Sequence, residues 1–162
     1  MNEILFKYFV GIDPGKTGCI AILDSGSGLN LHPTPVDGKE YNIFRMKSIL
    51  TGYKEFKTIV VIERAQCMPK QGIVSSFEFG KGYGIWLGIL GCLELPYIIV
   101  HSRVWTKKLL EGAPGEGKER NFNAATRLFP QWQPKLKKEW TYADAILLAE
   151  YARRLYLQNP PT

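Results

Sequence analysis

The 162-residue chain predicts a single α/β domain, residues 1–162, built on a five-stranded mixed sheet flanked by helices. Three observations support this fold class. Three strand-like segments come first and are joined by short turns, and two further strands then alternate with helical segments. No internal repeat or long linker divides the chain. Its hydrophobic content of 45% is typical of a globular domain.

Five segments rich in apolar and β-branched residues predict the strands. They are Tyr8–Ile12, Cys19–Leu23, Leu29–His32, Ile59–Ile62 and Tyr97–Val100. The loop at 24–28, Asp-Ser-Gly-Ser-Gly, is typical of a hairpin, so we expect the first three strands to be antiparallel. The continuous apolar run before Glu63 indicates a strand that is covered on both faces.

Five segments with helical periodicity predict the helices. They are Tyr41–Leu50, Val74–Leu93, Ser102–Leu110, Lys118–Phe129 and Tyr142–Tyr156. Ser102 is the expected N-cap of the third helix. Five glycines between Phe77 and Leu95 lower helix propensity and indicate that another backbone packs closely there, against the sheet or across a two-fold dimer contact.

The composition favours an acidic partner. The net charge is +6, and nucleic acid is the commonest partner of basic proteins, although an inert basic surface has the same charge. The chain has no membrane-length apolar run, and residues 1–8 lack the apolar core of a secretory signal. Three widely spaced cysteines match neither a disulfide framework nor a zinc pattern. These features predict a cytoplasmic, DNA-associated protein without membrane contact.

Three acidic residues lie at positions, two at strand ends and one on a helix face, that suit a metal ligand. Asp13 follows the first strand in Gly-Ile-Asp-Pro-Gly, and Glu63 ends the fourth. Asp144 shares the face of the last helix with apolar residues three, four and seven positions later. An acid on such a face must be paired, capped or bound to a metal. The alternatives are a surface turn started by Asp13 and a first-turn Asp144 favoured by the helix dipole.

Together these segments resemble RuvC-type Holliday junction resolvases of the RNase H-like superfamily, in the branch found in phages, bacteria and chloroplasts. The resemblance runs roughly from Phe9 to Tyr156. The matching segments are Gly-Ile-Asp-Pro-Gly at 11–15, Val-Ile-Glu at 61–63, Met-Pro-Lys-Gln-Gly at 68–72, 79–88, and Ala-Asp-Ala at 143–145 with 147–149. The resemblance implies an RNase H-like fold, a homodimer, and paired symmetric nicks in four-way DNA junctions during recombination, repair or phage DNA processing.

The resemblance also implies two Mg²⁺ ions, with Mn²⁺ as a possible substitute, held by Asp13, Glu63 and Asp144. Two such ions can activate water and stabilise the leaving oxygen of a phosphodiester. Members of the family usually carry an acid or His three residues before the helix Asp, where this chain has Thr141. Glu139 is a candidate substitute ligand, and the alternative is a solvated charge beside two lysines.

Basic and amide side chains near these motifs are candidate DNA contacts. Gln can hydrogen-bond base edges and Lys or Arg can contact phosphates, although each charge taken singly also suits a solvated surface. The candidates are Lys16, Arg64, Lys70, Gln71, Lys81, Arg103, Lys107 and Lys108.

Three other functions fit parts of the pattern. A junction-binding protein with weak or absent cleavage would explain Thr141. A related nuclease could act on a broader range of branched DNA or RNA. An actin-like phosphotransferase also has a strand followed by Gly-Ile-Asp-Pro-Gly, but that fold needs a second domain with its own Asp-Gly motif, for which this chain is too short.

Overall fold

The computed structural model describes residues 6–66, 72–134 and 136–158. The strands are β1 (Tyr8–Ile12), β2 (Cys19–Asp24), β3 (Leu29–Pro33), β4 (Val36–Asp37), β5 (Glu40–Tyr41), β6 (Thr58–Glu63) and β7 (Tyr97–Val100). The helices are α1 (Ile43–Thr51), α2 (Ile73–Cys92), α3 (Ser102–Leu109), α4 (Gly117–Leu128) and α5 (Tyr142–Gln158), with a 3₁₀ helix at Lys137–Thr141. No helix of the described ranges has both the length and the hydropathy of a membrane span.

Five strands form one sheet in the order β3-β2-β1-β6-β7, and β4 pairs only with β5. Strands β1, β2 and β3 are antiparallel neighbours, whereas β6 runs parallel to β1 and β7 parallel to β6. The predicted mixed sheet and the α/β fold class are therefore confirmed. The register pairs Ile12 with Ile62, so the carboxyl ends of β1 and β6 meet at one edge.

Two details of the predicted elements are wrong. Ser102 is the first residue of α3, and His101 occupies the cap position without a side-chain cap bond. Tyr41 ends the short β5 instead of starting α1, because Asn42 caps that helix by accepting the Arg45 N–H at 2.9 Å. A two-residue strand is too short for periodicity to show it.

The sheet is covered on both faces. The side chains of α1 and α2 join one core, which includes Trp86, and those of α3, α4 and α5 join the other, which includes Trp105. Helix α5 lies directly on β1 at Gly11, where an added Cβ would be 2.1 Å from the Ala145 carbonyl oxygen. This close approach brings the start of α5 towards the carboxyl end of β1.

The glycines of α2 have two roles. At Gly82 a Cβ would lie 2.6 Å from the carbonyl oxygen of Pro14, so this glycine lets the turn after β1 pack on the helix. A Cβ at Gly80, Gly84 or Gly88 would meet no described atom within 4 Å. The predicted close backbone contact is therefore present at Gly82, whereas the other four glycines, Gly91 included, are exposed.

Candidate active site

Three acids are brought to one edge of the sheet. Asp13 directly follows β1, and Glu63 ends β6 beside it. Asp144 is the third residue of α5, the helix that packs on Gly11. Each of the three residues is only partly buried. Separate segments of the sequence thus bring three carboxylates to the same edge of the sheet. Their catalytic and metal-binding roles stay predictions.

The acids affect one another electrostatically. Burial raises the pKa of Asp13 to about 7, and the charges of Asp144 and Glu63 add to this rise. Burial raises the pKa of Glu63 to about 7 as well, with a smaller contribution from Asp144. Burial also raises the pKa of Asp144. The site therefore concentrates negative charge that a cation would stabilise.

Two neutral side chains donate hydrogen bonds to the carboxylates of Glu63 and Asp144. The indole Nε1–H of Trp105 donates to Glu63 Oε2 at 2.8 Å, and Asn121 Nδ2 donates to Asp144 Oδ1 at 2.6 Å. Both bonds lower the pKa of the carboxyl group that accepts them. The charge of Lys118, one turn before Asn121 on α4, lowers the pKa of Asp13 and Asp144. The sequence motifs do not indicate these three residues, because they lie outside the acidic segments, on helices α3 and α4.

The donor set fits Mg²⁺. All three carboxylates offer hard oxygen atoms, and Mg²⁺ retains several waters, so few protein ligands suffice. Among the described residues, no three His, Cys, Asp or Glu side chains are close enough together to hold a single ion. The described arrangement is a cluster in which Trp105 and Asn121 bind the carboxylates, and Asp13 lies within the electrostatic reach of the other two.

The segment before α5 binds backbone groups. The Thr141 hydroxyl donates to the carbonyl oxygen of Thr17 at 3.0 Å. The Leu136 N–H donates to Glu139 Oε2 at 3.1 Å, within the 3₁₀ helix and its cap. Glu139 as a metal ligand stays a prediction, and its described bond lies within its own segment.

Several candidate DNA contacts have partners in the protein. Lys16 forms an ion pair with Glu78 at 2.5 Å and donates to the carbonyl oxygen of Lys39. Lys81 forms an ion pair with Glu40 at 2.5 Å. A phosphate would have to compete with these carboxylates. Lys70 and Gln71 lie outside the described residues.

Arg64 stands at the start of the loop that leads to Lys70 and Gln71. Its Nη1 lies 3.4 Å from His101 Nε2, and Gln66 Nε2 lies 2.6 Å from His101 Nδ1. His101 is therefore within hydrogen-bonding distance of both Gln66 and Arg64, and the tautomer of its ring decides which nitrogen accepts. His101, to which the sequence assigns no role, thus joins this loop to the start of α3.

The other basic candidates lie along α3. Arg103, Lys107 and Lys108 line a cleft of about 650 Å³ between α3 and α5, together with Arg154. A neighbouring cleft shares Arg103 and Lys107 and reaches Asn121. In the described part of the chain, neither Arg103 nor Lys107 has an ion-pair partner. The basic side chains of α3 therefore form a surface that continues to Asn121 beside Asp144, with the acid Glu111 on both clefts.

The sheet order and helix placement define an RNase H-like α/β fold of the RuvC kind. The structure of T. thermophilus RuvC in complex with Holliday junction substrate is similar to this chain, with a TM-score of 0.63 and 16% identity, covering 92% of this chain and 93% of that chain. A second Thermus thermophilus RuvC structure has a TM-score of 0.60 and 18% identity, covering 92% and 94%. No protein-family model and no curated protein matches the chain.

Proposed function

We propose that this protein is a metal-dependent, structure-selective endonuclease that resolves four-way DNA junctions by paired symmetric nicks. The observation that carries the proposal is the placement of Asp13, Glu63 and Asp144 within electrostatic reach of one another at the carboxyl edge of a RuvC-like sheet. One of the similar solved structures is a complex with a Holliday junction. The net charge of +6 favours the same class of substrate.

The protein's own groups have distinct roles in this proposal. The charges of both Glu63 and Asp144 raise the pKa of Asp13. Asp13 would therefore share two Mg²⁺ ions with these two acids. When bound, the ions supply an activated water and stabilise the leaving oxygen. Trp105 fixes one oxygen of Glu63, and the charge of Lys118 partly offsets the negative cluster near the scissile phosphate. Cleavage requires ionised acids, and protons compete with the ions for Asp13 and Glu63, whose pKa values are raised in the metal-free protein, so the cleavage rate should decrease as the pH falls.

DNA arms would follow the basic surface on α3. Arg103 and Lys107 are exposed and line two neighbouring clefts, one of which extends to Asn121 beside Asp144. Phosphate contacts of this kind position a duplex without reading its sequence. Replacement of Lys107 by Ala should weaken binding to all DNA sequences equally and reduce the salt dependence of binding by about one charge.

A second copy of the chain would pack on the exposed face of α2. This face begins with apolar side chains, Ile73 at 89% and Phe77 at 67% exposure, and continues with Gly80, Gly84 and Gly88. Small residues at this spacing let two helices approach closely, and a two-fold dimer would match the near two-fold symmetry of a four-way junction.

Sedimentation of the Phe77→Glu variant tests the dimer. A charge at this position would be buried in the interface, so we expect the variant to sediment as a monomer while the wild type sediments as a dimer. The matched control is Phe56→Glu, on an exposed phenylalanine remote in sequence from α2. Equal masses for the wild type and Phe77→Glu would contradict the proposed interface.

A junction-binding protein without cleavage is the second candidate, because the Thr141 hydroxyl is bound to a backbone carbonyl. A nicking assay separates the two. An immobile four-way junction and a linear duplex of the same sequence are incubated with wild type or Asp13→Asn in Mg²⁺ or Mn²⁺. Junction-specific nicks that Asp13→Asn abolishes and the surface control Glu55→Gln retains would support the nuclease. Tight binding by the wild type without nicks in either metal would support the silent binder.

A further inference from the structure

Asn121 is the side chain that bonds directly to the helix acid of the site. It lies on α4, one turn after Lys118, and its amide nitrogen is 2.6 Å from Asp144 Oδ1. The residue is partly buried, at the inner end of the basic cleft along α3. A carboxamide has an acceptor oxygen as well as donor hydrogens, and a half-turn of the amide exchanges their positions. The side chain can therefore present an oxygen where it now presents an N–H.

The separation of the two side chains suits a shared ion. Mg²⁺ binds oxygen atoms at 2.0–2.1 Å in octahedral geometry, so two neighbouring ligand atoms are about 2.9 Å apart. The amide nitrogen now lies 2.6 Å from the Asp144 oxygen, so a turned amide would place its oxygen close to that separation. Without a cation the two oxygens would repel each other, which explains why the amide donates to the carboxylate in the described arrangement.

The position at which the resemblance implies a fourth ligand does not offer one here. Thr141 occupies it, and the single proton of its hydroxyl lies between two backbone carbonyl oxygens, those of Thr17 at 3.0 Å and Lys138 at 2.9 Å from Oγ1. A hydroxyl is also a weak ligand for Mg²⁺ compared with a carboxylate or an amide oxygen. A site with two ions and three carboxylates would gain from one more oxygen beside Asp144.

We propose that Asn121 supplies this oxygen: its Oδ1 binds the ion that Asp144 holds, so that α4 replaces the missing acid at position 141. The inference rests on the metal site of the proposed function and deepens it. It assigns the fourth ligand to a different element of the fold, about 20 residues earlier in the chain than the segment that carries it in the resembling family.

A purely structural role for Asn121 makes the opposite prediction for one substitution. If the amide only tethers α4 to α5 by donating a hydrogen bond, Asn121→Asp replaces a donor with a charge beside Asp144. That charge would repel Asp144 in the metal-free protein and lower its stability. Under this role Asn121→Ala should leave the Mn²⁺ affinity nearly unchanged, because no ligand is lost. If Asn121 is a ligand, Asn121→Asp keeps an oxygen in place and adds negative charge. Its affinity for a divalent cation should then equal or exceed that of the wild type.

The test measures the affinity of the full chain for Mn²⁺ in the absence of DNA. The concentration of free Mn²⁺ is determined from its electron paramagnetic resonance signal. We expect Asn121→Ala to weaken the affinity of the affected ion by at least about tenfold, the scale on which supporting residues of metal sites act. Asn121→Asp should bind at least as tightly as the wild type. The matched control is Asn123→Ala on the same helix, whose amide donates to the Pro114 carbonyl at 3.1 Å.

A second-site change makes the test sharper. Thr141→Asp in the Asn121→Ala background should restore Mn²⁺ binding, because it returns an acid to the position that the resemblance implies. Wild-type affinity in Asn121→Ala, equal losses in Asn121→Asp and Asn121→Ala, or no Mn²⁺ binding by the wild type would each overturn the inference. Asn121-dependent Mn²⁺ binding by a protein that nicks no junction would refute the proposed function and leave the assignment of Asn121 standing.

Discussion

Asp13→Asn should stabilise the metal-free protein while abolishing the proposed nuclease activity. The pKa of Asp13 rises from 3.8 to about 7 on folding, because the carboxylate loses solvent and the charges of Asp144 and Glu63 lie nearby. Between these two pH values the folded chain keeps a proton that the unfolded chain has released. Its stability therefore decreases as the pH rises from about 4 to about 7 and stays low above that. Asn carries no charge, so the stability of the variant does not decrease for this reason as the pH rises.

The gain in stability expected for Asp13→Asn follows from the rise in the pKa of Asp13. One pKa unit corresponds to about 1.4 kcal/mol, so a rise from 3.8 to about 7 sets an upper bound near 4 kcal/mol. Part of the rise is repulsion shared with the other two acids, which reduces the expected gain to about 2–4 kcal/mol. For a domain of this size, 1 kcal/mol changes the Tm by about 2–4 °C, so the gain is about 5–15 °C.

Thermal melts in EDTA at pH 8.5 and pH 5 measure this gain. We expect the Tm of Asp13→Asn to exceed that of the wild type at pH 8.5 and to approach it at pH 5, where Asp13 is protonated in the folded wild type. Mg²⁺ should raise the Tm of the wild type more than that of the variant. A variant that melts at or below the wild type at pH 8.5, or that gives the same difference at both pH values, would refute the reasoning.

Two further substitutions test how the site is built. Trp105→Phe removes the donor that lowers the pKa of Glu63, so the pH of half-maximal nicking should rise; an unchanged pH profile would contradict the role of the indole. Gly11→Ala would place a Cβ 2.1 Å from the Ala145 carbonyl oxygen and should cost about 3 kcal/mol or more in the free energy of unfolding, measured by urea titration. Gly52→Ala, with open space around its Cβ, is the control, and equal stabilities for both variants would count against the described packing of α5 on β1.

The parts of the fold that periodicity controls could be predicted from the sequence. All five strands of the main sheet are long enough for an apolar pattern, and the structure has them within one or two residues of the predicted bounds. Asp13 and Glu63 could be recognised because an acid directly after an apolar run contrasts with its neighbours. Asp144 could be recognised because it shares a helix face with buried leucines.

The supporting residues could not be predicted in the same way. Trp105 and Asn121 lie 42 and 23 positions from the acids that they bind, and nothing in their local sequence relates them to those acids. The ion pairs of Lys16 and Lys81 depend on tertiary contacts with Glu78 and Glu40. Sequence patterns report the face on which a residue lies, whereas pairing across elements depends on how those elements pack.

The measurement that tests the central claim most directly uses a supercoiled plasmid with an extruded cruciform, which is a four-way junction in closed DNA. Two coordinated nicks in one junction linearise the plasmid, whereas a single nick gives an open circle. We expect the wild type with Mg²⁺ to produce linear DNA from this plasmid, and to leave a matched plasmid without the inverted repeat intact. Asp13→Asn should leave both plasmids intact. Equal cutting of the two plasmids by the wild type, or no cutting of either in Mg²⁺ or Mn²⁺, would contradict a metal-dependent junction resolvase.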